Sequence, residues 1–290
     1  MTPGIVDSSS NVIKLKDAAY EEKYEILVEF LEEAGFSREI TKLLFLDSRI
    51  EYFPNLVLTK IPESNEDFLN QYDYSEITKL RTREFITTYR EDLIKAENQF
   101  GVHKETIAAI IYVETKFGHV TGTHRIFNVL SSIALADQEF ALKELRQEIK
   151  NRYQGHTTIK IENLISYYEK YAKKRALMAR FELAHLMEMY VNANYNIMEL
   201  RGSYAGAFGY CQFMPSSYIQ YAMDGDGDNK IDLFNYHDAI FSIANYLKDK
   251  GWENNYYAKR RALLRYNYSR KYVSDVFQAA ANIKLIAENI

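Results

Sequence analysis

Thr106-Ile-Ala-Ala-Ile-Ile-Tyr-Val-Glu-Thr115 sets Ile107, Ile110, Ile111 and Glu114 at i, i+3, i+4 and i+7, which is one stripe of an α-helix and not the alternation of a strand. The same period runs outward in both directions, and four prolines and twelve glycines among 290 residues leave few breaks in it. An all-α chain with few or no strands is expected. Upstream, a helix is read from Ala19 to Glu33 with Tyr24, Leu27, Val28 and Leu31 on one side, stopped by Gly35. Short helices follow at Glu39 to Leu46 and Ser75 to Lys79, with a looser connection over Pro54 to Glu66 between them. A long helix is then read from Arg81 to Phe100, ended by Gly101. Downstream, Leu135 to Tyr195 is charged and helix-rich, interrupted at Gly155-His-Thr-Thr158, and is read as a peripheral helical hairpin. No repeat or composition shift marks a second domain, so residues 1–16 are taken as a polar N-terminal segment and 17–290 as a single unit.

The carboxylate on the apolar stripe is the anomaly. A glutamate withdrawn from water without a partner titrates high and stays protonated near neutrality, which is the state a general acid needs. The alternative is a glutamate at the end of a buried stripe that reaches solvent or pairs with Lys116 or Arg125. Gly118, four residues on, supplies a helix end and room for a ligand.

Two further stretches carry chemistry. Gly202-Ser-Tyr-Ala-Gly-Ala-Phe-Gly-Tyr-Cys-Gln-Phe-Met-Pro-Ser-Ser-Tyr218 concentrates small, glycine and aromatic residues as the wall of a glycan cleft would, with Tyr204, Phe208, Tyr210 and Tyr218 as faces for sugar rings. Directly after it, Asp224-Gly-Asp-Gly-Asp-Asn-Lys-Ile-Asp232 puts Asp224, Asp226 and Asp228 at positions one, three and five of an EF-hand-type calcium loop, with the Lys230 carbonyl at seven. Position six is Asn229 instead of glycine and position twelve is Asn235 instead of glutamate, so the closing carboxylate comes from elsewhere, with Asp238 the natural candidate and Asp232 assisting through water. The competing reading is a solvated acidic turn.

Composition narrows the classes. A net charge of -4 with both signs interspersed leaves no basic footprint for nucleic acid. The single cysteine, Cys211, excludes an internal disulfide framework. None of the six histidines falls in a zinc spacing; His119, His124 and His237 read as surface or hydrogen-bonding residues. Met1 to Ser10 has neither the basic start nor the apolar middle of a signal peptide, so the protein is expected either in the cytoplasm or with an export signal outside this sequence.

Val113-Glu-Thr-Lys-Phe-Gly118, Thr123-His-Arg-Ile126 and the glycine-rich block, followed by Asp238-Ala-Ile-Phe-Ser-Ile-Ala-Asn-Tyr246, Gly251-Trp252 and Tyr266-Asn-Tyr-Ser-Arg-Lys-Tyr272, together resemble the family-B lytic murein transglycosylases. Fainter similarity covers residues 25 to 100, so the resemblance spans most of the chain. It implies a lysozyme-like catalytic core over about 80–134 and 196–252, and an enzyme that cleaves the β-1,4 bond between N-acetylmuramic acid and N-acetylglucosamine of peptidoglycan without water. It implies Glu114 as catalytic acid and base, a cleft lined by Ser203, Gln212, Tyr246 and Asn267, and Asp238 as the late calcium ligand. It further implies the bacterial periplasm or cell envelope and a monomer acting on glycan strands, with structural calcium and no organic cofactor. A hydrolytic muramidase and a catalytically idle glycan-binding scaffold are the alternatives.

Two departures qualify the resemblance. Cys211 replaces a usual glycine and either narrows the cleft or packs behind it. The Tyr-Pro-Arg-Arg element of relatives is not visible, and Leu135 to about Lys174 is unlike them and longer, which makes 135–175 a divergent helical insertion and the candidate surface for cell-envelope partners. Arg125 is read as structural, pairing an acidic neighbour, or as a holder of a muramyl or peptide carboxylate.

Overall fold

The computed structural model describes residues 22–58, 75–193 and 195–289. In chain order the helices are α1 (Glu25–Glu33), α2 (Arg38–Phe45), α3 (Glu76–Thr88), α4 (Arg90–Phe100), α5 (Lys104–Thr115), α6 (Ile126–Ala134), α7 (Glu139–Arg152), α8 (Thr158–Ala193), α9 (Pro215–Tyr221), α10 (Tyr236–Asp249), α11 (Tyr256–Tyr266) and α12 (Arg270–Ala287). Two short strands, β1 (His124–Arg125) and β2 (Arg201–Gly202), pair antiparallel with His124 opposite Gly202. The all-α expectation holds. Among the described residues no helix is long and apolar enough to cross a membrane.

The contacts divide the chain more finely than the sequence reading does, into two compact units. One draws on Met1–Asn65 and Thr123–Ala207, the other on Glu66–Gly122 and Phe208–Ile290. In the first, every residue of α6 is buried. Against it lies α8, whose Ala172, Ala176 and Ala179 are small enough for close approach and whose Leu183 and Leu186 fill the space beyond. Tyr24, Leu27, Val28 and Leu31 are buried as their spacing predicts, with Tyr24 stacked on Phe45 at 4.9 Å and Phe45 tilted on Phe127 at 5.1 Å. Gly35, at φ 94°, ends the first helix. Buried Asp47 pairs with Arg49, which also reaches Glu199 at 2.5 Å, and Glu199 in turn faces Arg125. Arg125 also donates to the Met198 carbonyl, so its structural reading is the one seen.

In the second unit α5 packs on α12, and α4 packs on α10. Ile107, Ile110 and Ile111 are fully buried.

Three helix readings are corrected. The stretch from Ser75 to Phe100 is two helices of similar length instead of a short and a long one: Ser75 caps α3 by accepting from the Thr78 amide, and the break falls at Tyr89, at φ -102° and ψ 23°. Thr87 and Thr88 hold helix weakly there, and the Tyr89 ring packs on Phe85 at 5.0 Å and Tyr236 at 4.8 Å. The second correction concerns α8, which is no peripheral arm: it packs on α6, and its buried residues run from Ala172 to Met189. The third is at α5, which stops at Thr115 with Lys116 as its left-handed cap, before Gly118. The expected helix start at Ala19, the connection beyond Leu58 and the polar segment 1–16 lie outside the described residues.

Candidate active site and acidic loop

Glu114 occupies the last turn of α5, and the chain leaves it through three consecutive left-handed residues, Lys116, Phe117 and Gly118, at φ 53°, 54° and 78°. Thr115 holds this reversal: its hydroxyl accepts from the Gly118 amide at 3.0 Å and sits 3.3 Å from the Tyr210 carbonyl. The Tyr236 hydroxyl donates to the Phe117 carbonyl at 2.7 Å. Gly118 is required, although not to make room for a ligand. A Cβ there would lie 2.4 Å from the Tyr236 hydroxyl and 2.7 Å from the Tyr210 ring, so the space is already filled by two stacked tyrosines 4.0 Å apart.

The Glu114 side chain is half-buried at the wall of a groove of about 540 Å³ that also meets Asn267, Ser269, Lys271, Tyr272 and Asp275. Burial pushes its carboxyl from 4.5 up to about 7, and the adjacent Tyr272 hydroxyl pulls it part of the way back. The Tyr272 hydroxyl has no hydrogen bond of ordinary geometry and is held well above the usual phenol range, first by burial and then by the Glu114 charge. Behind it runs a ladder of rings: Tyr272 stacks with Tyr266 at 6.1 Å, Tyr266 meets Tyr246 at 4.9 Å, and Tyr246 meets Tyr221 at 4.8 Å. Tyr246 is buried, and its hydroxyl is spent on the Arg265 carbonyl at 2.7 Å. Tyr266 donates to the Cys211 carbonyl at 2.6 Å. Cys211 is fully buried, with its thiol pushed up by desolvation, so of the two readings for this residue packing behind the wall is the one observed.

Gln212 is held in the left-handed region at φ 50°, and its side-chain amide donates to the Gly209 carbonyl at 2.9 Å and the Thr121 carbonyl at 3.2 Å. Those two bonds orient the amide and leave its oxygen without a protein donor among the described residues. Asn267 caps the end of α11 beside fully exposed Tyr268. Tyr210 is half-buried, whereas Phe208 and Tyr218 are core. Ser203 and Tyr204 belong to the first unit. The Ser203 hydroxyl accepts from the amides of Ala205 at 3.3 Å and Ala207 at 3.2 Å, closing a tight turn with Tyr204 exposed on it. Sequence reasoning assigned Asn267 in its block but passed over Tyr266 and Tyr272, because an aromatic at helical spacing reads as core.

The acidic loop is built as its spacing suggests. Asp224, Asp226 and Asp228 bring one oxygen each within 4.8 Å of one another. Asp224 accepts from the amides of Gly227 at 2.7 Å and Asn229 at 2.8 Å, Asp228 accepts from Lys230 at 2.7 Å, and Asn229 takes φ 66°. Asp238 is buried behind the loop, and its two oxygens accept from Gly225 at 2.8 Å and Asp232 at 2.7 Å. Desolvation first, and then the charges of Asp226 and Asp224, push its carboxyl up against those bonds. A second cluster, Glu97, His103 and Glu105, is an ion-pair network, with the Lys104 ammonium 3.3 Å from Glu97 and 3.1 Å from Glu105.

Residues 19–262 match the transglycosylase SLT domain. The chain belongs to that family. Membrane-bound lytic murein transglycosylase B of Escherichia coli K12 is 35% identical over 168 residues, which is 58% of this chain and 37% of that relative, so the match spans little more than a third of the relative's length. Among solved structures, the soluble lytic transglycosylase SltB1 of Pseudomonas aeruginosa superposes with a TM-score of 0.68 at 24% identity, covering 91% of this chain and all of that one. The Escherichia coli lytic transglycosylase Slt35, solved in complex with calcium, gives 0.67 at 22% identity over 97% of this chain and 99% of its own. The lysozyme-like all-α architecture of this SLT-domain chain is therefore the fold those structures share.

Proposed function

We propose that this SLT-domain chain is a peptidoglycan lytic transglycosylase with Glu114 as its catalytic acid and base. The observation that carries the proposal is a carboxyl poised at about 7 by burial in the wall of an open groove, with a tyrosine hydroxyl beside it. A group so placed is protonated often enough to give its proton to a departing glycosidic oxygen, and is then basic enough to take one back. In the first step the proton moves from Glu114 to the oxygen of the β-1,4 link between N-acetylmuramic acid and N-acetylglucosamine, and the C–O bond breaks with the muramyl acetamido oxygen supporting the anomeric carbon. In the second, ionised Glu114 accepts the proton of the muramyl C6 hydroxyl as that oxygen bonds to the anomeric carbon. The products are a free N-acetylglucosamine end and a 1,6-anhydromuramyl end.

Tyr272 steadies the ionised state between the two steps by donating to it. Gln212 presents its free amide oxygen to sugar hydroxyls, and Asn267 lines the groove. Tyr246, with its hydroxyl occupied, acts through the ring ladder that holds Tyr266 and Tyr272. Ser203, Tyr204 and Tyr210 remain proposed glycan contacts.

Asp275 favours a second reading, because it is another carboxyl in the groove and an ordinary glycosidase uses a flanking pair. Its ion pair with Lys271 at 2.7 Å argues that it is structural. Mass spectrometry of digested peptidoglycan decides between them: anhydromuramyl ends are expected, lost in Glu114→Gln and retained in Asp275→Asn, whereas reducing muramyl ends would make the chain a hydrolase. Full turnover by Glu114→Gln would remove the catalytic assignment altogether.

The loop fits calcium. Three carboxylates so close repel one another unless a cation lies among them, and Asp224, Asp226, Asp228 and the Lys230 carbonyl are the groups that would hold it. Asp238, proposed from sequence as the late ligand, serves the site in its observed conformation by bracing the loop backbone. Bound calcium would offset most of the charge of those three carboxylates and fix α10, which carries Tyr246. The calcium in Slt35 supports this reading, and the name of the Escherichia coli relative supports placement in the bacterial envelope.

A further inference from the structure

We infer that the outward face of α8 is a docking surface for an anionic lipid bilayer. The face opposite the one packed on α6 carries Leu177, Met178 and Phe181 at 67%, 50% and 56% exposure. Large apolar side chains are normally scattered singly over a surface, whereas these three fall on consecutive turns of one helix. At about 100° per residue, Lys170, Lys174, Leu177, Phe181 and Ala184 lie within an arc of about 80°, with Lys173 and Met178 on its flanks. Lys170, Lys173 and Lys174 form no ion pair among the described residues, unlike Arg146 and Arg180, which are paired with acids. From Asn163 to Ala184 this outward line carries no acid; Glu188, one turn later, bounds it.

Charge complementarity selects the occupant. Unpaired lysines beside protruding leucine, methionine and phenylalanine suit an interface where headgroup phosphates meet acyl chains, with the lysine stems lying along the apolar surface and their heads at the phosphates. A hydrated glycan would have no use for the apolar cluster. A second copy laid against this face would bring together four lysines, Lys170 and Lys174 of each, with no acid to offset them, while Lys173 has Glu139 nearby. A helix lying in the plane of a bilayer needs neither a groove nor a hydrogen-bonding rim, and this face offers neither.

The test is co-sedimentation of the full chain with phosphatidylglycerol–phosphatidylcholine vesicles and with phosphatidylcholine vesicles alone. Wild type is expected to bind the first and not the second, with binding weakened by salt. Leu177→Ser/Phe181→Ser and Lys173→Glu/Lys174→Glu should each lower partitioning roughly tenfold or more. Both pairs replace exposed side chains, so the Tm is expected to stay at the wild-type value; Phe181→Ala stands in for the first pair if it does not. Equal binding to the two vesicle types, or wild-type binding by both variants, would overturn the inference. So would a dimer in sedimentation velocity that Phe181→Ser breaks, which would give the face to a second copy.

Discussion

Glu114 couples chemistry to stability through one proton. Its folded value of about 7 stands above the ordinary 4.5, so between those values the folded chain holds a proton that the unfolded chain has released. The contribution is complete below about pH 4.5 and is lost as pH rises through about 7, amounting to at most about 3 kcal/mol. Glu114→Gln removes the titration and keeps the shape. Urea unfolding from about pH 5 to about pH 8 should therefore find the variant gaining on wild type as pH rises, by on the order of 2 kcal/mol at the upper end. Parallel curves would show that the carboxyl is not raised. Tyr272→Phe acts on the same group in the opposite sense: without the neighbouring hydroxyl Glu114 titrates higher, and the alkaline limb of kcat/KM should move to higher pH while the Tm changes little. Only half of this pair was legible in the sequence. A charge on an isoleucine stripe breaks a local pattern and can be seen, whereas Tyr272 lies on another helix, α12, and its nearness to Glu114 is a product of packing that no spacing records.

At the scale of elements, the turn after α5 carries the site. Three residues in the left-handed region are costly for side chains other than glycine, and Thr115, Tyr210 and Tyr236 together hold the chain there. Gly118→Ala sets a methyl against two tyrosines at a φ that L-residues avoid. It is expected to cost about 1–3 kcal/mol in urea unfolding and to lower kcat by disturbing the end of α5 next to Glu114. An unchanged midpoint would mean that the tyrosine pair yields freely. Sequence reasoning located this glycine but gave its space to a ligand, because the rings that fill it come from the glycine-rich block and from α10. The break at Tyr89 was missed for the same kind of reason: two threonines weaken the helix locally, but contacts to Phe85 and Tyr236 choose where it parts. Period alone recovered α1, α2 and α5, whose buried stripes are continuous.

At the scale of the molecule, the helical class was legible from period and scarcity of breakers, while the division into two units was not. One crossing falls between Ala207 and Phe208, inside the glycine-rich block that reads as one motif: the Ser203–Ala207 turn closes the first unit, and Phe208 through Tyr218 opens the second half of the other. Every group that would hold calcium lies in the second unit, and the loop is tied to α10 through Asp238 and through Asn235, which accepts from the His237 amide at 3.0 Å. A cation bound there stabilises by mass action only the structure whose opening releases it. Hydrogen exchange with calcium and with chelator should therefore differ over residues 224–249, with protection rising in the loop and in α10, and should be unchanged in α6 and α8. Equal protection throughout would mean that the two units open together, as one cooperative block. No change anywhere, at calcium concentrations that saturate EF-hand-type loops, would return Asp224, Asp226 and Asp228 to the solvated acidic turn that the sequence also allowed.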